Sequence, residues 1–315
     1  MSLPEVVSYL RKDDNFLLTG HVNPEGDAIG SSLALAEALS GIGKKTALYS
    51  RDPIPGLYRF LPGWEGFSSD LPPGHILILM DCSRRERAGI PAGAAFRKTL
   101  VIDHHETECE PGSVCFIDSR SPATGMLVYE IIKKLDVDLT KKMAMNLYAA
   151  ISTDTGIFRY DNTTPESLDA AAELVRAGAE PALISEKVYE TWTRERMTLL
   201  CLGLGSLEVR DGIAIMAVSR EMFEKTGTTI EDTEHFTIFP RMLKDIKVAA
   251  FMTELDRGVV KTSLRSKGDV NVREIAEKFG GGGHRRASGY RVSASLQRAK
   301  EMLFKAAAEA LRSRG

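Results

Sequence analysis

The absences in this 315-residue sequence narrow it first. There are four cysteines, Cys82, Cys109, Cys115 and Cys201, and no CxxC pair among them, which excludes a thiolate zinc site. A chain of this length builds a core without disulfide staples, so the four thiols are expected reduced, as in a cytoplasm. No run approaches the roughly 18 apolar residues that span a bilayer. The opening MSLPEVVSYLRKDD lacks the apolar core of a secretory signal. A cytoplasmic protein with no membrane partner is the expectation. Neither GxxxxGKS/T nor GxGxxG after a strand occurs, so P-loop and dehydrogenase chemistries are set aside. No stripe of interleaved aromatic and basic residues could stack bases along a long strand. There is no internal repeat and no low-complexity tract.

Charge is present in quantity but divided. Lys and Arg number 41 against 43 Asp and Glu, a net of −2. From Lys261 to Gly315 there are 13 basic and 5 acidic residues, a net of +8, which leaves −10 on the remainder. An acidic body beside a basic C-terminal piece suits a metal-binding domain next to one that holds an anionic substrate.

The length exceeds the usual single domain. The first half alternates short apolar runs with helix-period segments. That pattern predicts an α/β domain with a mostly parallel sheet and helices on both faces. Buried strands are expected at 16–19, 46–49, 76–80 and 99–102. Helices are expected at 29–39, 123–135, 143–152 and 165–177. Helical periodicity from 181 to 204 is taken as one long connecting segment. Beyond it, strands at 213–218, 248–253 and 259–264 and helices at 270–279 and 296–311 predict a smaller α/β domain. The expected layout is a first domain over 1–185, a helical linker over 186–205 and a second domain over 206–315.

Polar residues collect just past the predicted strands. After the first comes His21-Val-Asn-Pro-Glu25-Gly-Asp27-Ala-Ile-Gly30-Ser31; after the third, Asp81; after the fourth, Asp103-His104-His105. Asp154, in Ser-Thr-Asp-Thr-Gly, closes a helix. Open parallel sheets bind ligands beyond the carboxyl ends of their strands, so these residues converge on one rim. Taken singly, Asp27 is better explained as a helix cap and Asp81 as turn chemistry. Their conjunction at several strand ends is not. Imidazole and carboxylate without thiolate favour manganese over zinc, with Mg²⁺ or Co²⁺ as substitutes. The surplus of carboxylates favours two ions over one.

The second informative stretch is Phe279-Gly280-Gly-Gly-Gly283-His284-Arg285-Arg286-Ala-Ser288-Gly289. Consecutive glycines let backbone N–H groups approach an anion closely. The flanking cations, with Arg265 at the end of a preceding strand, favour phosphate binding over a plain flexible turn.

In this order the motifs resemble the DHH/DHHA1 phosphoesterase family, and most of all its short bacterial nanoRNase/pAp phosphatase branch. The resemblance runs over nearly the whole chain. It implies a DHH domain, a DHHA1 domain and a two-manganese site in the cleft between them. By the same resemblance His21, Glu25 and Asp81 would hold one metal, and Asp27, Asp81, His104 and Asp154 the other, with Asp81 bridging. Asp27, Asp81, His104 and His105 would then be the catalytic group, His105 contacting the scissile phosphate. Arg265, Gly281, Gly282, Gly283 and His284 would hold the substrate's other end. The family commonly carries Asp where Glu25 stands, which leaves the first metal position the less defined one.

The implied activity is hydrolysis of short oligoribonucleotides to 5′-mononucleotides, and of 3′-phosphoadenosine 5′-phosphate (pAp) to AMP and phosphate. A linear or cyclic dinucleotide phosphodiesterase would use the same site. A pyrophosphatase would lack the GGGGH loop, and a non-enzymatic nucleotide-binding protein would have lost ligands. The sequence leaves a homodimer open.

Overall fold

Short apolar runs bracketed by turn residues become the strands of the first sheet. The computed structural model describes residues 1–255 and 258–312. They fall into two compact units, Met1–Thr191 and Trp192–Gly315.

The first unit runs α1 (Leu3–Lys12), β1 (Asn15–Thr19), α2 (Gly26–Gly41), β2 (Lys45–Tyr49), β3 (Phe67–Ser68), β4 (Ile76–Met80), β5 (Lys98–Asp103), β6 (Val114–Ile117), α3 (Thr124–Lys134), α4 (Lys141–Asp154), α5 (Pro165–Arg176) and α6 (Pro181–Tyr189). All strand pairs are parallel, in the order β3-β2-β1-β4-β5-β6. The chain leaves β1 toward one edge of the sheet and β4 toward the other. Their adjacent carboxyl ends are therefore the switch point at which open α/β sheets bind ligands.

Alternation sorts the two faces of this sheet. Phe16, Leu18, Ile76, Ile78, Leu100 and Ile102 pack with α1 to α4 in the largest core. Leu17, Leu77, Leu79 and Val101 face the other way and are covered by Cys82, Ala88, Ile90 and neighbouring loop residues of the β4–β5 connection. Helix α2 lies close on α4 at Gly30, where a Cβ would run into the Asn146 carbonyl.

The second unit runs α7 (Arg194–Gly205), β7 (Glu208–Arg210), β8 (Ile213–Val218), α8 (Arg220–Thr226), α9 (Ile238–Met242), β9 (Val248–Glu254), β10 (Val259–Ser266), α10 (Val272–Glu277), β11 (Gly282–Gly283), β12 (Ala287–Ser293) and α11 (Leu296–Arg312). Its sheet is mixed, in the order β11-β12-β10-β9-β8-β7, with β8 and β9 parallel. Helices α10 and α11 close its core through Val272, Ile275, Leu303 and Ala307.

Four expectations need correction. The helical periodicity over 181–204 is two helices, because Thr193 caps a new start by accepting from the Arg196 N–H. The 190–193 run, Glu-Thr-Trp-Thr, is rich in residues that sit poorly in a helix interior. Helix α2 begins at Gly26, so Asp27 lies inside its first turn and is not its cap. Part of the glycine-rich stretch is strand, since Gly282 and Gly283 pair with Gly289 and Ser288. Finally, Cys109 and Cys115 are joined by a disulfide, while Cys82 and Cys201 are free. The reversal at Gly112, whose φ is +82°, brings the two sulfurs together, and sequence spacing alone did not signal it.

Candidate metal centre

Four of the predicted residues meet beyond β1, β4 and β5. His104 Nε2 stands 3.8 Å from Asp27 Oδ2, 3.5 Å from Asp81 Oδ1 and 3.2 Å from Asp154 Oδ2. His21 Nε2 lies 3.5 Å from Asp81 Oδ2. The two carboxylate oxygens of Asp81 thus face different histidines. Asp81 is buried and has φ +60°, a left-handed conformation that non-glycine residues seldom adopt. Glu25 is exposed at the N-cap position of α2 and reaches His21 and Asp154 through its charge.

The backbone fixes both histidines. His104 Nδ1 is 3.1 Å from the Ser121 carbonyl and His21 Nδ1 is 2.9 Å from that of Val22. Carbonyls accept, so each Nδ1 carries the hydrogen and each Nε2 is turned toward the carboxylates, the arrangement usual for metal-ligating imidazole.

Asp27 is held by three donors: the N–H of Thr124 at 2.7 Å, the N–H of Gly125 at 2.8 Å and the Ser31 hydroxyl at 3.0 Å. At Gly125 a side chain would crowd Ala150 Cβ at 2.7 Å and Asp27 Oδ1 at 3.3 Å. The hydroxyl of Thr124 donates to Asp81 Oδ1 at 3.0 Å. The first turn of α3 therefore orients both carboxylates. Sequence reasoning missed Thr124, Gly125 and Ser31. Ser31 was within reach of it, lying four residues after Asp27 on one helix face.

Charge in this cluster is unbalanced. Burial, and then the nearby Asp81 and Asp154 carboxylates, push Asp27 well above the usual carboxylate range despite its donors. Burial raises Asp154 to about 6 against the opposing pull of His104. Burial would also raise Asp81, but the His21 hydrogen bond and the neighbouring His105 and His104 outweigh it and hold Asp81 low. Burial would lower His21 and His104; the surrounding carboxylates win and raise each to about 9. A cation relieves this repulsion directly. Ligand atoms of Asp27, Asp81 and His104 all lie within 4.8 Å of one another. Ligands about 2.1 Å from a shared octahedral ion stand roughly 3 Å apart, so spacing and donor chemistry both fit a hard divalent metal.

His105 adjoins the cluster. Its Nδ1 is 2.7 Å from Asp103 Oδ1 and 3.5 Å from Asp81 Oδ1, and its ring meets that of His104 edge-on at 4.8 Å.

Comparison with known proteins places the chain in a family. The model of the DHH family N-terminal domain covers residues 15–151, and that of the DHHA1 domain covers 230–313. The chain is 36% identical over 296 residues to the bifunctional oligoribonuclease and PAP phosphatase NrnA of Thermus thermophilus, covering 92% of this chain and 88% of that one. The chain belongs to the DHH family. It is also 29% identical over 293 residues to the protein of the same description from Bacillus subtilis, covering 90% of this chain and 91% of that one. A solved exopolyphosphatase-related protein from Bacteroides fragilis superposes with a TM-score of 0.86 at 25% identity, over 96% of this chain and 94% of the other. The chain is thus a DHH-family phosphoesterase, with the DHH residues on its first unit and the DHHA1 residues on its second.

In the DHHA1 unit the remaining predicted residues flank one strand. Arg265 on β10 lies opposite Ala287 of β12, and on the other side of β12 Gly283 lies opposite Ser288. His284 follows directly, its N–H donating to the Ala287 carbonyl and its carbonyl accepting from the Ser288 hydroxyl. Gly283 has φ +132°, and a Cβ there would sit 2.6 Å from the Ala287 carbonyl oxygen. A Cβ at Gly281 would run into the Gly289 carbonyl. Close backbone approach therefore accounts for glycine at 281 and 283. Gly282 has open space around it and is exposed.

Among the described residues, no helix is long and apolar enough to cross a membrane.

Proposed function

We propose that this chain is a manganese-dependent phosphoesterase of the cytoplasm that hydrolyses short oligoribonucleotides to 5′-mononucleotides and pAp to AMP and phosphate. The observation that carries this reading is the cluster of buried Asp27, Asp81 and His104 with half-buried Asp154, and His21 on the far side of Asp81. The substrates follow from the printed names of the T. thermophilus and B. subtilis relatives.

In this reading His21, Glu25 and Asp81 would hold one Mn²⁺, and Asp27, Asp81, His104 and Asp154 would hold the other. Asp81 would belong to both sets, which its two oxygens support, one facing His21 and the other His104. When bound, such a pair supplies an activated water and stabilises the attacking and leaving oxygens of an in-line displacement. The chain does the rest. Ser121 and Val22 carbonyls hold each imidazole with Nε2 toward the carboxylates. The first turn of α3 keeps Asp27 and Asp81 in place, so little reorganisation is needed as charge develops. His105 contacts the phosphate under attack. Arg265, Gly281, Gly282, Gly283 and His284 bind the part of the substrate that does not react, which contributes positioning.

Product release from a diribonucleotide, pAp, a cyclic dinucleotide and pyrophosphate, each with Mn²⁺ and with EDTA, tests the reading. Turnover of the first two with Mn²⁺ and none with EDTA is expected. Turnover confined to cyclic dinucleotide or pyrophosphate, or full activity after exhaustive chelation, overturns it.

A further inference from the structure

Asp103, the last residue of β5, has no part in the mechanism so far, yet it is fully buried beside the site. A buried carboxylate needs partners, and those of Asp103 all lie within the next four residues. Oδ1 accepts from the His105 backbone N–H at 3.0 Å and from His105 Nδ1 at 2.7 Å. Oδ2 accepts from the Thr107 hydroxyl at 3.3 Å. One side chain thus closes the turn after β5 and grips the imidazole that the turn carries.

The Asp103 hydrogen bond bears directly on the rotation of the imidazole. Its ring meets His104 edge-on, and 17% of the side chain remains exposed. Without the Nδ1 hydrogen bond its χ2 torsion is broad and two-fold, so either ring edge could face the substrate. With that bond Nδ1 carries a hydrogen, so the neutral ring keeps its acceptor lone pair on Nε2.

We propose that Asp103 is a positioning residue: its buried carboxylate accepts the Nδ1 hydrogen of His105 and so presents Nε2 to the substrate phosphate. This rests on the reading of His105 given above. Asp81, Asp103 and His105 could instead gather a cation, since their ligand atoms lie within 4.8 Å of one another. Hydrogen bonding argues against that occupant. Oδ1 of Asp103 already receives two N–H donors, and a cation at Nδ1 would have to displace the shorter of them.

A double-mutant cycle separates positioning from a purely structural role. Asp103→Asn, His105→Ala and their combination are assayed with pAp and Mn²⁺, alongside melting curves and the number of Mn²⁺ ions bound. Thr107→Val serves as a control that weakens the turn without touching the ring. Outer partners of this kind are commonly worth about 10–100-fold in activity. Asp103→Asn is expected to lower kcat by that amount with KM within about threefold and metal stoichiometry unchanged. In the His105→Ala background the same change should cost almost nothing. Multiplying losses place Asp103 in the turn alone, and loss of a bound ion makes it a ligand; either result overturns the proposal. Unimpaired His105→Ala would instead remove the reading of His105 itself. Should Asp103→Asn not fold, ¹⁵N spectra of the Mg²⁺-loaded wild-type protein decide: a hydrogen on His105 Nδ1 is expected, and a bare Nδ1 with a hydrogen only on Nε2 refutes the proposal.

Discussion

Replacing Thr124 with valine would remove one hydroxyl and leave almost everything else in place. The side chain stays β-branched and of similar volume in a fully buried position. The Thr124 N–H still reaches Asp27, so the first turn of α3 keeps its grip there. What is lost is the 3.0 Å hydrogen bond to Asp81 Oδ1. Hydrogen bonds to charged groups are worth about 1.5–3 kcal/mol, or roughly 10–100-fold in an equilibrium constant. Asp81 retains His104 and His105 at 3.5 Å, so it is not stranded without partners. The expected outcome is Mn²⁺ affinity lowered about 10–100-fold, with kcat largely restored at saturating metal. Calorimetric titration of chelator-treated protein reads the affinity, and activity against Mn²⁺ concentration reads the rescue. Affinity within about twofold of wild type would mean that this hydroxyl does not orient Asp81 for metal, and that the hydrogen bond belongs to the fold alone.

Asp81→Asn should abolish turnover while the metal-free protein still folds; residual kcat above about a tenth of wild type counts against the bridge. Metal-free stability should fall from pH 6.5 to 9. His21 and His104 hold protons to about 9 in the folded chain, so their contribution is complete below the ordinary histidine value of 6.5 and lost as pH rises through 9. Metal binding must expel those protons, so Mn²⁺ affinity should rise over the same window; a melting temperature in EDTA that does not change with pH, and pH-independent affinity, would contradict both. Arg265→Ala should raise KM for pAp with little change in kcat, since it acts on the unreacting end; a pure kcat effect moves it into the chemical step. Efficiency should fall as RNA is lengthened from two nucleotides to about twenty, with a shallow salt dependence; equal efficiency on a 24-mer with a steep salt slope refutes the short-substrate reading.

How much of this was legible depended on whether the signal was local. Ile76 to Met80 is five apolar residues in a row, and every one is buried as the sequence pattern predicts. The polar residues after it and after β1 and β5 mark strand ends, so the convergence of His21, Asp81 and His104 could be read before any coordinates. Strand β12, Ala-Ser-Gly-Tyr-Arg-Val-Ser, could not, because its first three residues have little preference for extended pairing and are held by β10 and β11. Thr124 and Gly125 were hidden for a similar reason. They open a helix whose apolar face predicts only burial, and their donors matter because β1 and α2 bring Asp27 to them across 97 and 98 residues of chain.

The charges of the metal-free site form one device. Two histidines raised to about 9 sit among carboxylates of which Asp27 is pushed up and Asp81 held low. Protons therefore stand in for cations at the same atoms: Nε2 of each imidazole carries a hydrogen toward the oxygens it would share with an ion. This lessens the repulsion among Asp27, Asp81 and Asp154, which are buried or half-buried. The backbone carbonyls of Ser121 and Val22 each accept from an Nδ1 and so orient the two rings. In the proposed reading, metal loading would exchange those protons for cations. The members of the cluster hang on β1, β4, β5 and on ends of α2, α3 and α4, elements that share the first unit's main core.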